Sequence, residues 1–171
     1  DQLEGKVIEY NEAGAEIGIT PYLNGMKEGV AKIFSPEGQL LVAVNFHQDS
    51  KEGVCVQYYP NEKPFVETPY KQDKREGTEK TYYANGELAK LVAYQNDLMN
   101  GLYQEWNETG ILVFEAEYQE GKRHGKFHKF YDDGSPYISQ TFIEDELHGI
   151  KKKYEKDGKV IESLYEKGKK L

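Results

Sequence analysis

Aromatic residues recur every twelve positions along most of the chain: Tyr10, Tyr22, Phe34, Phe46, Tyr58, Tyr70, Tyr82, Tyr94, Trp106, Tyr118, Phe130, Phe142 and Tyr154. Glycine doubles the period to twenty-four. One series is Gly29, Gly53, Gly77, Gly101, Gly125 and Gly149; the other is Gly14, Gly38, Gly86, Gly110, Gly134 and Gly158, interrupted by Glu62. A fixed period of this length marks a repeat architecture whose units touch mainly their neighbours. The last repeat is one residue short, ending on Tyr165 where the spacing calls for position 166. The spacing predicts one repeat domain over residues 1–171, with repeats at about 6–29, 30–53, 54–77, 78–101, 102–125, 126–149 and 150–171.

Each repeat holds two apolar-rich runs separated by turn residues, as in Leu102–Trp106, then Glu108-Thr109-Gly110, then Leu112–Tyr118. That pattern predicts a β-hairpin. Asn85-Gly86, Asp133-Gly134 and Asp157-Gly158 read as tight turns of positive φ, and Gln119 to Gly125 as a longer one. A glycine about every twelve residues leaves no room for a useful helix. Side chains alternate across a strand, and a period of twelve keeps the ring series at even positions. The even positions Leu112, Phe114, Ala116 and Tyr118 are apolar while Glu115 and Glu117 are not, so the even face is expected to be the core in both strands of a hairpin. The expected fold is all-β: an elongated, twisted, single-layer antiparallel sheet of about seven stacked hairpins.

Composition sharpens this picture. Of 171 residues, 37% are hydrophobic and 13% aromatic, too many rings for a chain that merely solvates itself. The formal charge is −8, which argues against a phosphate-backbone binder, so no nucleic-acid partner is expected. No apolar run approaches the roughly 20 residues that cross a bilayer, and the first residues carry neither a basic nor an apolar leader segment. The chain reads as soluble. Its compartment stays open, because a leader removed ahead of Asp1 is compatible with this start.

Chemistry-bearing residues point away from catalysis. Cys55 is the single cysteine, and with no histidine at a matching place except His47 it reads as structural. His124 and His128 are four apart, roughly 13 Å along a strand, and His124 and His148 share a slot in successive repeats, so no metal site is expected. No serine sits in a nucleophile elbow, the glycines form no phosphate-binding loop, and pairs such as Glu115 and Glu117 read as solvating charge. The expectation is a protein without catalytic residues, cofactor or metal.

Tyr82-Tyr-Ala-Asn-Gly-Glu-Leu88 followed by Tyr94-Gln-Asn-Asp-Leu-Met-Asn-Gly101 resembles the bacterial variant of the membrane occupation and recognition nexus (MORN) repeat. Tyr118-Gln-Glu-Gly-Lys-Arg-His-Gly125 repeats the second half, while Asn61-Glu62-Lys63-Pro64 departs from the Asn-Gly-x-Leu element. The resemblance implies stacked hairpins used for protein contacts or, in some eukaryotic relatives, for membrane lipids. Some bacterial proteins with this variant repeat are described as antitoxin-like.

Two features remain as candidate binding surfaces. The odd positions, expected to face solvent, still carry Tyr59, Phe65, Tyr83, Tyr103, Phe127, Tyr131 and Tyr137, and rings on a wet face fit a protein partner. Residues 1–149 carry a net −12 and residues 150–171 a net +4. The acidic part predicts steering toward a basic protein, in the concrete form of an antitoxin or immunity binder. The alternative is a scaffold at a membrane or cell surface that contacts anionic lipid, through Lys151, Lys152 and Lys153, or host molecules. Oligomeric state is left open.

Overall fold

A computed structural model describes residues 2–171. The chain divides into two compact units, one ending at Gly86 and the other beginning at Glu87. The N-terminal unit contains β1 (Gly5–Tyr10), β2 (Glu16–Leu23), β3 (Met26–Lys27), β4 (Gly29–Phe34), β5 (Leu40–His47), β6 (Ser50–Lys51), β7 (Gly53–Tyr58), β8 (Pro64–Lys71), β9 (Lys74–Arg75) and β10 (Gly77–Tyr82). The C-terminal unit contains β11 (Leu88–Gln95), β12 (Leu98–Trp106), β13 (Leu112–Gln119), β14 (Lys122–Phe130), β15 (Pro136–Ile143), β16 (Glu146–Tyr154), β17 (Val160–Glu166) and β18 (Lys169–Lys170). Among the described residues there is no helix, hence none long and apolar enough to cross a membrane. Within each unit, strands neighbouring in sequence pair antiparallel, as the repeat pattern predicts.

Two turn types alternate, and both differ from the expected ones. In the first, Asn11 N–H donates to Ala15 O and Gly14 N–H donates back to Asn11 O, both at 2.9 Å. The same pair of bonds recurs from Tyr59, Asn107, Tyr131 and Glu155. Only the fourth residue takes positive φ, such as Gly110 at 78° and Gly134 at 83°. Asp133 and Asn85 do not, so these are three-residue loops closed by a left-handed residue. Glu62 fills that position with φ 63°, which is how the repeat survives the missing glycine.

This loop is followed by a β-bulge that decides the faces. Glu105 lies opposite Phe114, but Trp106 lies opposite Leu112, leaving Val113 as an extra residue. Leu41 and Tyr137 are the equivalent extra residues in their hairpins. The bulge turns an even register into an odd one, so Tyr103 sits opposite Ala116 and Phe127 opposite Ala116 and Gln140. The expected even face is therefore corrected: even positions of second strands share a face with odd positions of first strands. The last hairpin pairs Tyr154 with Val160 and Gly149 with Tyr165 without a shift. The residue missing from the last repeat is thus its bulge.

The second turn is a two-residue connection with both central residues at positive φ, such as Gln48-Asp49 (48° and 68°) and Glu120-Gly121 (50° and 82°). It replaces the longer turn expected from Gln119 to Gly125. Non-glycine residues in this conformation are strained by about 1–2 kcal/mol each, and the preceding repeat offsets the strain. Asp49 Oδ1 accepts Lys27 N–H (2.8 Å), Asp49 N–H donates to Lys27 O (3.0 Å), and Glu28 Oε2 accepts Gln48 N–H (2.9 Å). The pattern recurs at Asp73, Glu52 and Asp145. Five of the carboxylates, Glu28, Asp49, Glu52, Asp73 and Asp145, are thus held at turns by backbone N–H groups.

Because each unit is one layer, side chains are mostly half-buried. In the C-terminal unit the deepest residues, Val92, Ala116 and Phe142, lie on the face that also carries Tyr103 and Phe127, called the ring face below, and in the N-terminal unit Ala31 and Thr68 are buried. Gly125 shows how tightly the kink after the two-residue turn is built. Its φ is 105°, and a Cβ there would stand 1.9 Å from Glu117 Oε2, the oxygen that accepts Lys126 N–H. Gly125→Ala is expected to destabilise by about 2–3 kcal/mol in urea unfolding, from backbone strain plus the displaced bond; an unchanged midpoint would refute the tight approach.

Candidate functional site

The ring face of the C-terminal unit is built in rows by strand register. Lys90, Glu105, Phe114, Lys129, Ile138, Lys153 and Ile161 lie each opposite the next. A neighbouring row runs Val92, Tyr103, Ala116, Phe127 and Gln140. The rings of these rows interlock: Tyr103–Phe114 at 5.4 Å, Phe114–Phe127 at 4.8 Å and Phe127–Phe142 at 5.2 Å between centroids, all tilted near edge-on. Arg123 closes the ladder, with its guanidinium 4.1 Å from the Phe142 centroid and Nε donating to Asp145 Oδ1 at 2.8 Å. That bond holds the Asp145 carboxyl below its ordinary range.

A groove of about 330 Å³ opens on this face, lined by Glu105, Val113, Phe114, Phe127, Lys129, Phe130 and Tyr137. Phe114 lies between Glu105 and Lys129 in register, and the bulge residues Val113 and Tyr137 line the groove. The feature that reverses the faces therefore also shapes the site. Tyr103 Oη donates to Glu105 Oε1, and burial followed by that carboxylate pushes the phenol well above its usual range. The strand positions of this face carry Lys90, Arg123, Lys129, Lys151, Lys153 and Lys170 against the one carboxylate of Glu105. On the opposite face charges are matched: Glu115 Oε2 accepts from Gln104 Nε2 (2.8 Å), Glu115 lies 3.8 Å from His128, and Lys152 Nζ meets Glu162 Oε1 at 2.9 Å.

The seven rings expected to form one wet surface are distributed otherwise. Tyr59, Phe65 and Tyr83 belong to the N-terminal unit and Tyr103, Phe127, Tyr131 and Tyr137 to the C-terminal unit. Tyr103 and Phe127 are half-buried on the core-bearing face, which corrects their placement on a solvent face. Tyr59 and Tyr131 stand at loops, their hydroxyls donating to Tyr82 O (2.8 Å) and Tyr154 O (2.9 Å) one repeat on. Their rings pack on Phe65 and Tyr137, each at 4.9 Å, and Tyr83 is half-buried at the loop position equivalent to theirs. Of the seven, Phe127 and Tyr137 line the groove. Sequence reasoning missed Phe114, Phe130, Glu105 and Lys129; the signal that would have found them is the left-handed fourth loop residue, which implies a bulge and a change of parity.

The three lysines do not form one patch. Lys151 and Lys153 lie on the ring face and Lys152 on the opposite one. Lys153 Nζ is paired with Glu155 (2.8 Å), and the hydrogen bonds that Lys152 donates to Glu162 and Lys153 to Glu155 hold both lysines above their ordinary pKa. Burial pushes the Cys55 thiol up despite the nearby Lys51. Among the described residues no group of three His, Cys, Asp or Glu side chains is arranged to hold a metal ion.

One titratable pair sits at a turn of the N-terminal unit. His47 Nδ1 is 3.0 Å from Glu28 Oε1, and this bond raises the histidine pKa above 6.5 and lowers that of Glu28. A raised folded-state value means the pair's contribution is fully present below the ordinary histidine pKa and is lost as pH rises through the folded one. In an NMR titration Glu28→Gln should bring the His47 midpoint down toward 6.5; an unmoved midpoint would show that the bond does not form.

A family model described as the MORN repeat variant matches residues 27–48, 51–72, 75–96 and 99–120, together just over half of the chain. Each match starts three residues before the frame drawn from the rings and ends on the first residue of a two-residue turn. The same turns recur beyond the matches, at Asn24-Gly25, Glu144-Asp145 and Lys167-Gly168. No curated protein matches the chain.

Proposed function

The chain belongs to the MORN repeat variant family, and from that membership we propose that it is a non-catalytic repeat module that binds another protein through the ring face of its C-terminal unit. Repeats of this family are associated with binding, to membranes or to proteins. The observation that carries the reading is the groove over Phe114 and Phe127: a half-exposed aromatic floor with charged residues at its rim is the anatomy of a protein contact. Edge-on packing fixes these rings in place, so little side-chain entropy is lost when a partner covers them.

An antitoxin or immunity role is one form of protein binding and calls for an acidic docking face. The ring face is cationic instead, so the reading rests on protein binding in general. The membrane-scaffold alternative is weakened by the split of Lys151, Lys152 and Lys153 between two faces.

The test is recovery of partners from the source lysate and culture medium on immobilised protein. Tyr137→Ala at the groove should lose a partner that the wild type and Leu102→Ala, a 48%-exposed control on the opposite face, both retain. Equal recovery by all three would sink the reading.

A further inference from the structure

Resting on that protein-binding reading, we propose that the groove takes an acidic peptide segment of the partner, with an apolar side chain seated over Phe114 and Phe127 and carboxylates reaching Lys129 and Lys151. The net charge of −8 leads to the opposite expectation, a basic partner. The charge is segregated, however. In the C-terminal unit Glu115, Glu117 and Glu162 lie on the opposite face, and Asp145 is held at a turn by Arg123 N–H. From β14 to β18 the ring face presents cations and no carboxylate at its strand positions.

Not all those cations are equally available. Arg123 is held by Asp145 and Lys153 by Glu155, whereas Lys129 and Lys151 form no ion pair among the described residues. Lys129 and Lys153 stand about 10 Å apart, two strand spacings, with Lys151 about 7 Å from Lys153 along β16. These separations suit carboxylates spaced along an extended segment. Glu105 on β12, fixed by Tyr103 Oη on the other side of Phe114 from Lys129, sets polarity: the acidic residues of the segment lie toward β14–β16 and away from β12. At about 330 Å³ the groove has room for an apolar side chain or two, at the small end of ligand pockets. A nucleic acid is disfavoured, because its continuous phosphate charge would meet Glu105 and the acidic loop tips at Glu108, Asp132 and Asp133.

The experiment uses the whole chain and three fluorescent probes of equal length: a Glu-rich peptide with a central Phe, its Lys-rich counterpart, and an oligothymidylate. The expected result is binding of the Glu-rich peptide that weakens with salt and falls about tenfold or more in Lys129→Glu/Lys151→Glu. Lys126→Glu, which makes the same kind of charge change on the opposite face, should leave it nearly unaltered. Near-UV circular dichroism confirms that each variant is folded. Tighter binding of the Lys-rich peptide or of the oligothymidylate overturns the inference, as does no binding of the Glu-rich peptide, or an equal loss in Lys126→Glu. If the Lys-rich peptide binds and Tyr137→Ala abolishes it, the protein-binding reading stands while the acidic occupant falls. If no peptide binds and Tyr137→Ala retains every partner, both fall.

Discussion

Phe142→Ala is expected to lower the stability of the C-terminal unit by about 3–5 kcal/mol, the usual range for removing a buried phenylalanine. In a single layer few residues are buried deeply enough to matter so much, and Phe142, 7% exposed, is one. Its ring contacts Phe127 on one side and the Arg123 guanidinium on the other, so truncation removes an aromatic contact and a cation–π contact together. The neighbouring Ile143 supplies the control. It is 44% exposed and points to the opposite face, so Ile143→Ala should cost less than about 1 kcal/mol. Urea unfolding followed by near-UV circular dichroism measures both. Similar losses in the two variants would mean that the faces are not distinguished as described.

Inserting one residue is expected to do more damage than deleting a whole repeat. Beyond the bulge residue Val113, Glu105 lies opposite Phe114 and Tyr103 opposite Ala116, and an alanine inserted between Phe114 and Glu115 would bring Glu115 opposite Tyr103. Glu115 and Glu117 would then turn onto the face of Tyr103, and Ala116 and Tyr118 away from it, because a one-residue slip exchanges every side chain between faces. All later strands of the unit would follow. The insertion should abolish the cooperative unfolding transition of the C-terminal unit. Removal of residues 102–125 joins Gly101 to Lys126, a junction equivalent to Gly125-Lys126, and preserves every register. That variant should keep a cooperative transition at a lower temperature, since a repeat array loses one set of neighbour contacts but not its pattern. Differential scanning calorimetry of the insertion and the repeat deletion decides; an insertion variant that melts like the wild type would show that strand register does not set the faces.

The repeat, the all-β class and the hairpins were legible because they are local. Tyr10 through Tyr154 at intervals of twelve, with glycine at intervals of twenty-four, leave no other reading of period or strand length. The faces were not legible by counting alone, because alternation assumes an unbroken strand and each bulge adds a residue that counting assigns to the wrong side. Tyr103 and Phe127 show the consequence: read as wet rings, they pack among Phe114 and Phe142. Turn identity failed for a related reason. Asn85-Gly86, Asp133-Gly134 and Asp157-Gly158 in sequence point to two-residue turns, yet only the glycine of each of these pairs is left-handed, while Gln48-Asp49 and Glu144-Asp145 adopt the two-residue turn without glycine. What stabilises them is a carboxylate and a backbone pairing from the neighbouring repeat, a contact between residues about twenty apart.

The sequence by itself therefore determined the period, the strand content and the family, since each depends on spacing along the chain. It also determined the total charge. Only the tertiary structure decided where that charge sits and which rings share a face, because both depend on strand register across bulges. The carboxylates of Asp49, Glu28 and Asp145 went to the turns, where unpaired N–H groups attract them, and Lys129, Lys151 and Lys153 came to the ring face beside Phe114 and Phe127.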